Sequence, residues 1–101
     1  MSQRDRTLQE STTTLSAADT LAAAKDFFSH QLGIYAAFPE QESATHLTLR
    51  GQGGEEIAIG VALAETGTRV TGASYLFDQQ VARFLASLPT PSGSRATAGV
   101  A

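Results

Sequence analysis

The stretch Glu55–Leu88, EEIAIGVALAETGTRVTGASYLFDQQVARFLASL, decides the fold. Ile57, Ile59, Val61 and Leu63 alternate with Ala58, Gly60, Ala62 and Ala64, the period-2 pattern of a strand with two unlike faces. Glu65-Thr66-Gly67-Thr68 is a hairpin turn, with Gly67 able to take the positive φ that short loops often use. The chain returns from Arg69 to Phe77 in β-branched and aromatic residues, which suit a pleated surface. Val81, Phe84, Leu85 and Leu88 then fall at i, i+3, i+4 and i+7, one stripe of an amphipathic helix.

Upstream, Thr45-His46-Leu47-Thr48-Leu49-Arg50 alternates cleanly, with Leu47 and Leu49 on one side and His46, Thr48 and Arg50 on the other. Gly51-Gln52-Gly53-Gly54 joins it to the strand at Ile57 as a hairpin loop. Ile34–Phe38 reads as a strand halted by Pro39, and the proline places it at an edge or a bend. A helix is expected from Ala17 to about Leu32, opened by Ser16 and Asp19 as a capping box. Its buried stripe is Leu21, Ala24, Phe28 and Leu32, widened by Ala23 and Phe27, and Gly33 closes it. Ser11–Leu15 makes a short first strand. The expected order is β-α-β-β-β-β-α: an α+β domain over residues 11–89, with a curved antiparallel sheet and two helices on one face. Residues 1–10 are expected to be a flexible N-terminus. Residues 90–101, rich in Pro, Ser, Gly and Ala, are expected to be a disordered tail.

Composition narrows the function. With 101 residues the chain makes a single domain that buries about two thirds of its unfolded surface, so association with a second copy would supplement a modest core. A net charge of -3, with one lysine and scattered arginines, does not suit a phosphate-tracking surface. The absence of cysteine removes disulfides, thiolate zinc sites and cysteine nucleophiles. Neither a secretory signal nor a membrane span is legible, so a cytoplasmic protein is expected.

The element order, with Thr14-Leu15-Ser16-Ala17-Ala18-Asp19-Thr20-Leu21 at the opening of the first helix, Gly67-Thr68-Arg69-Val70-Thr71 at the last turn and the closing helix Val81–Leu88, resembles two architectures. One is the helix-grip domain of the START, polyketide-cyclase and plant-allergen-like superfamily, in a minimal form without its usual insertion. The other is the single repeat of the TATA-box-binding-protein-like fold. The first resemblance implies binding of a hydrophobic small molecule or lipid between sheet and helix or across a dimer interface. Phe28, Phe38, Tyr75, Phe77 and Phe84 would then be the apolar contacts, and Arg50 or Arg69 a polar anchor. The second would imply a nucleic-acid saddle, but such a saddle needs basic residues around its apolar wedges, and these are missing.

The residues themselves offer little chemistry. Gly51–Gly54 is followed by a strand and not by a helix N-terminus, which argues for a plain hairpin over a phosphate loop. His30 and His46 lack paired metal-ligand spacing. Glu40, Glu42, Glu55 and Glu56 lie in or beside loops, where carboxylates are usually solvated, and Ser74 and Tyr75 have no evident base. No catalytic residue, metal or cofactor is assigned, and a non-enzymatic role is expected. The more informative feature is the face carrying Ala58, Gly60, Ala62 and Ala64. If both helices cover the Ile57 side, those small residues form an open face fit for self-association or as the floor of a ligand site, unless Tyr35, Tyr75 and Phe77 lie over them. The chain therefore reads as a homodimeric binding module for a hydrophobic small molecule or lipid. The alternative is a protein–protein interaction module using the open sheet face or edge.

Overall fold

Five strands and two helices succeed one another as β1 (Arg6–Thr13), α1 (Ala17–Ser29), β2 (Ala37–Glu42), β3 (His46–Gly51), β4 (Glu56–Ala64), β5 (Gly67–Tyr75) and α2 (Asp78–Ser87). The computed structural model describes residues 6–31 and 33–91. All strand pairs are antiparallel, in one open sheet of order β1-β5-β4-β3-β2. The class is the expected α+β, with both helices on one face. Helix α1 lies against β2, β3 and β4, and α2 against β5 and β1.

Cross-strand register fixes which residues share a face, because directly opposed residues of antiparallel strands point the same way. Leu47 opposes Ile59, Leu49 opposes Ile57, and Val61 opposes Val70. All six are buried beneath the helices. From above, α1 supplies Leu21, Ala24 and Phe28, and α2 supplies Val81, Phe84 and Leu85. Gly72 sits beneath α2, where a Cβ would come within 2.7 Å of Val81 Cγ1, so glycine lets this helix lie close on the sheet.

The start of α1 follows from its cap. The Ser16 hydroxyl accepts from the Asp19 N–H at 3.0 Å. The Ser16 carbonyl accepts from the Thr20 N–H at 2.9 Å and the Thr20 hydroxyl at 2.8 Å. Ser16→Ala should therefore lower stability by about 1 kcal/mol, read as a lower urea midpoint with unchanged slope. An unchanged midpoint would mean the hydroxyl is not holding the helix end.

Several boundaries differ from the sequence reading. Strand β1 begins at Arg6 and not at Ser11, because its register with β5 runs from Arg6 opposite Tyr75 to Thr13 opposite Thr68. Polar residues suffice there: one side of the strand is solvated, and the Gln9 side-chain amide donates to the Asp78 carbonyl at the start of α2. Helix α1 ends at Ser29, after which Gly33–Tyr35 form a 3-10 turn where a strand was expected. Strand β2 then passes through Pro39 with a bulge between Pro39 and Gln41, which an edge strand tolerates. Leu63 shares the inward register of Ile57 but is 90% exposed, because it lies at the far end of β4 beyond the helices. Leu76, with φ of 76°, turns the chain so that Phe77 enters the core ahead of α2. Leu32 of the expected helix stripe lies outside the described residues, as do residues 1–5 and 92–101 of the expected flexible ends.

Candidate functional site

The face of the sheet away from the helices is uncovered by any described element. Register lays it out in rows. Arg50 is flanked by Phe38 and Glu56. The next row runs Gln41, Thr48, Ala58, Ala73, Leu8, and the one after it His46, Gly60, Thr71, Glu10. A last row holds Ala62, Arg69 and Thr12. The middle is a floor of small residues, Ala58, Gly60, Ala62 and Ala73, and the exposed apolar side chains stand around it. Leu8 marks the β1 edge, Phe38 the β2 edge, and Tyr75 a corner. Over Gly60 the floor dips into a shallow concavity of about 250 Å³ lined by His46, Val61, Ala62, Arg69 and Thr71.

The charges on this face alternate in sign. Arg50 donates from Nη2 to Glu40 Oε1 at 2.8 Å and from Nη1 to the Gly54 carbonyl at 3.1 Å. The hydrogen bond from Arg50 to Glu40, helped by the negative charge of that carboxylate, raises the Arg50 pKa above its already high ordinary value. Arg69 Nε lies 3.5 Å from Glu10 Oε2. Both arginines are thus already engaged with carboxylates of their own chain.

The residues singled out from the sequence divide between the two sides of the sheet. Phe38, Ala58, Gly60, Ala62, Tyr75, Arg50 and Arg69 share the open face. Phe28, Phe77 and Phe84 do not join them: all three are buried on the helix side. Phe28 and Phe84 pack with Phe27 at ring separations of 5.1 to 5.6 Å, filling the space between helices and sheet. Phe77 lies against the Gly51 backbone and beside Tyr35, at 5.8 Å between rings, so neither ring covers the small-residue floor. Leu8, Glu10 and Ala73 join the face without having been expected there. Ala73 is legible in the alternation of Thr71, Ala73 and Tyr75, whereas Leu8 and Glu10 enter the face only because β1 begins early.

The two edges of the sheet are unlike. Strand β2 carries Pro39 and a bulge, and its Glu40 and Glu42 are paired with Arg50 and Lys25. These are the usual guards against strand addition. Strand β1 has no proline, lysine or bulge over eight residues in continuous register.

Elsewhere the chemistry is local. The loop after β3 fills its own donors: the Gly53 N–H donates to Glu55 Oε1 at 2.9 Å and the Gly51 N–H to the Glu55 carbonyl at 2.8 Å. His30 Nδ1 stands 3.2 Å from Asp26 Oδ1, and His46 Nδ1 is 2.8 Å from the Thr45 hydroxyl. The Ser74 hydroxyl donates to Asp78 Oδ1 at 2.9 Å, which ties β5 to the first turn of α2. Among the described residues no three His, Asp or Glu side chains gather to hold a metal ion, and no helix is long and apolar enough to cross a membrane. Set against protein-family models, curated proteins and solved structures, the chain matches none.

Proposed function

We propose that this chain is a small non-enzymatic interaction module that works as a homodimer through the uncovered part of its sheet. One observation carries this reading: among the described residues a single sheet is packed on one face and left bare on the other, with no proline, lysine or bulge on its β1 edge. The alternating charges of the bare side suit a protein surface of mixed charge and not a polyanion. A second reading, binding of a hydrophobic small molecule or lipid as the helix-grip resemblance implies, is favoured by the concavity over Gly60. On that reading the ligand lies on the open face, since Phe27, Phe28 and Phe84 occupy the space between sheet and helices.

Native mass spectrometry of the protein as purified separates these readings. The expected result is a dimer of twice the chain mass with nothing added. A dimer or monomer carrying mass that organic solvent releases would replace the first reading with the second. A monomer without added mass at every concentration would remove both.

A further inference from the structure

We propose that the junction of β5 and α2 binds a small neutral molecule carrying an amide on a planar ring, recognised by the Gln80 side chain. A concavity of about 300 Å³ lies there, lined by Tyr35, Leu76, Asp78, Gln79 and Gln80. Gln80 belongs to the buried stripe of α2 with Val81, Phe84 and Leu85, and it is only 7% exposed. Among the described residues its side-chain amide has no hydrogen-bond partner. A buried carboxamide left unpaired is costly, and the concavity that Gln80 helps to wall is where a partner can stand. A water molecule takes up about 30 Å³, so the space is several times what one water needs. Phe77 stands at the N-cap of α2 without a side-chain bond, so no side chain caps the first-turn N–H groups. All of these groups belong to one chain, so the site is complete without a second copy.

Charge, hydrogen bonding and shape set the class of ligand. The N-terminus of α2 carries a partial positive charge, and the Asp78 carboxylate lies in the same turn, held by the Ser74 hydroxyl at 2.9 Å. The two fields oppose each other, so neither an anion nor a cation gains over a neutral molecule. The Gln80 carboxamide offers a donor and an acceptor side by side. A second amide answers both at once, donating to Oε1 and accepting from Nε2. The remaining walls are apolar: the exposed Leu76 and the half-exposed Tyr35, whose ring is steadied 5.8 Å from that of Phe77. A flat ring can lie against such walls while its amide reaches Gln80. Leu76 also holds a φ of 76°, which residues other than glycine rarely adopt, and strain of this kind gathers at ligand clamps.

The test uses molecules of one shape and different charge: neutral benzamide, anionic benzoate and cationic benzamidinium. Each is titrated into the full chain, with amide resonances followed by NMR. Benzamide should shift the Gln80 side-chain amide and the backbone N–H groups from Leu76 to Gln80 until they saturate. Benzoate and benzamidinium should bind roughly tenfold more weakly or not at all. Gln80→Met keeps the side chain's bulk and removes its amide, so it should raise the melting temperature while weakening benzamide roughly tenfold. Equal binding of the three molecules, or benzamide binding unchanged by Gln80→Met, would overturn the proposal. A lower melting temperature for Gln80→Met would do the same, since Gln80 would then have a partner inside the protein. No saturable shift at Gln80 would mean that water alone fills the concavity, and the site would fall.

Discussion

Phe84→Ala should cost about 3–5 kcal/mol and lower the melting temperature by roughly 15–30 °C. The ring is 1% exposed and lies 5.6 Å from Phe27 and 5.4 Å from Phe28, centre to centre. It is the side chain through which α2 meets the aromatic side of α1. A domain of this size has on the order of 5–10 kcal/mol in total, so the variant would be partly unfolded near physiological temperature. Phe27→Ala removes the same number of atoms from a half-buried position and should cost clearly less. Equilibrium unfolding in urea, with both variants beside the wild type, reads the difference directly. Equal small losses would mean that the region between sheet and helices is loose enough to admit a guest.

That comparison also bears on function. The helix-grip resemblance implies a guest between sheet and helix, and such a guest would need space among these rings. Here Phe28 and Phe84 touch each other and are fully enclosed. Their apolar surface stabilises the fold. Substitutions at Ala62 or Glu10 alter the exposed side of the sheet, whereas those at Phe28 or Phe84 act on the core.

The middle of the chain is legible in its sequence because periodicity there is enforced by burial on one side only. The alternation of Ile57, Ile59 and Val61 with Ala58, Gly60 and Ala62 maps directly onto the helix side and the open side of β4. It fails at Leu63, since alternation reports the side of the strand and not how far the covering helices reach. Residues 6–10 of β1 are illegible for a different reason. Their polar, mixed-charge composition has no strand signature of its own, and the strand forms because β5 presents a full-length edge to pair with. Phe77 is misplaced by sequence reasoning because an aromatic residue at the end of a strand suggests an exposed contact. The positive φ at Leu76 turns it inward, and nothing in the residue type announces that turn. The open-face half of the candidate site, Ala58, Gly60, Ala62 and Tyr75, is legible from alternation. The β1 half depends on long-range pairing.

Gly67 shows how the same residue can be read correctly for an incomplete reason, and it supplies the other large effect. Its φ of +154° lies in the region that favours glycine, as the hairpin reading expects. The stronger constraint comes from β1: a Cβ at Gly67 would run into the Thr13 carbonyl oxygen and lie 3.4 Å from Thr14 Cα, both backbone atoms that cannot rotate away. Thr13 is fully buried, and the neighbouring Thr68 hydroxyl donates to the Leu15 carbonyl at 2.8 Å, so this corner is anchored on both sides. Gly67→Ala should therefore combine backbone strain with a steric clash and cost about 3 kcal/mol or more. Gly33 is the control. Its φ is +57° but, among the described residues and its chain neighbours aside, no atom lies within 4 Å of where a methyl group would stand, so Gly33→Ala should cost only about 1 kcal/mol of left-handed strain. Urea midpoints of the two variants decide the matter. A clearly larger drop for Gly67→Ala would locate the constraint in the approach of β1 to the β4–β5 hairpin, and equal midpoints would assign it to turn conformation alone.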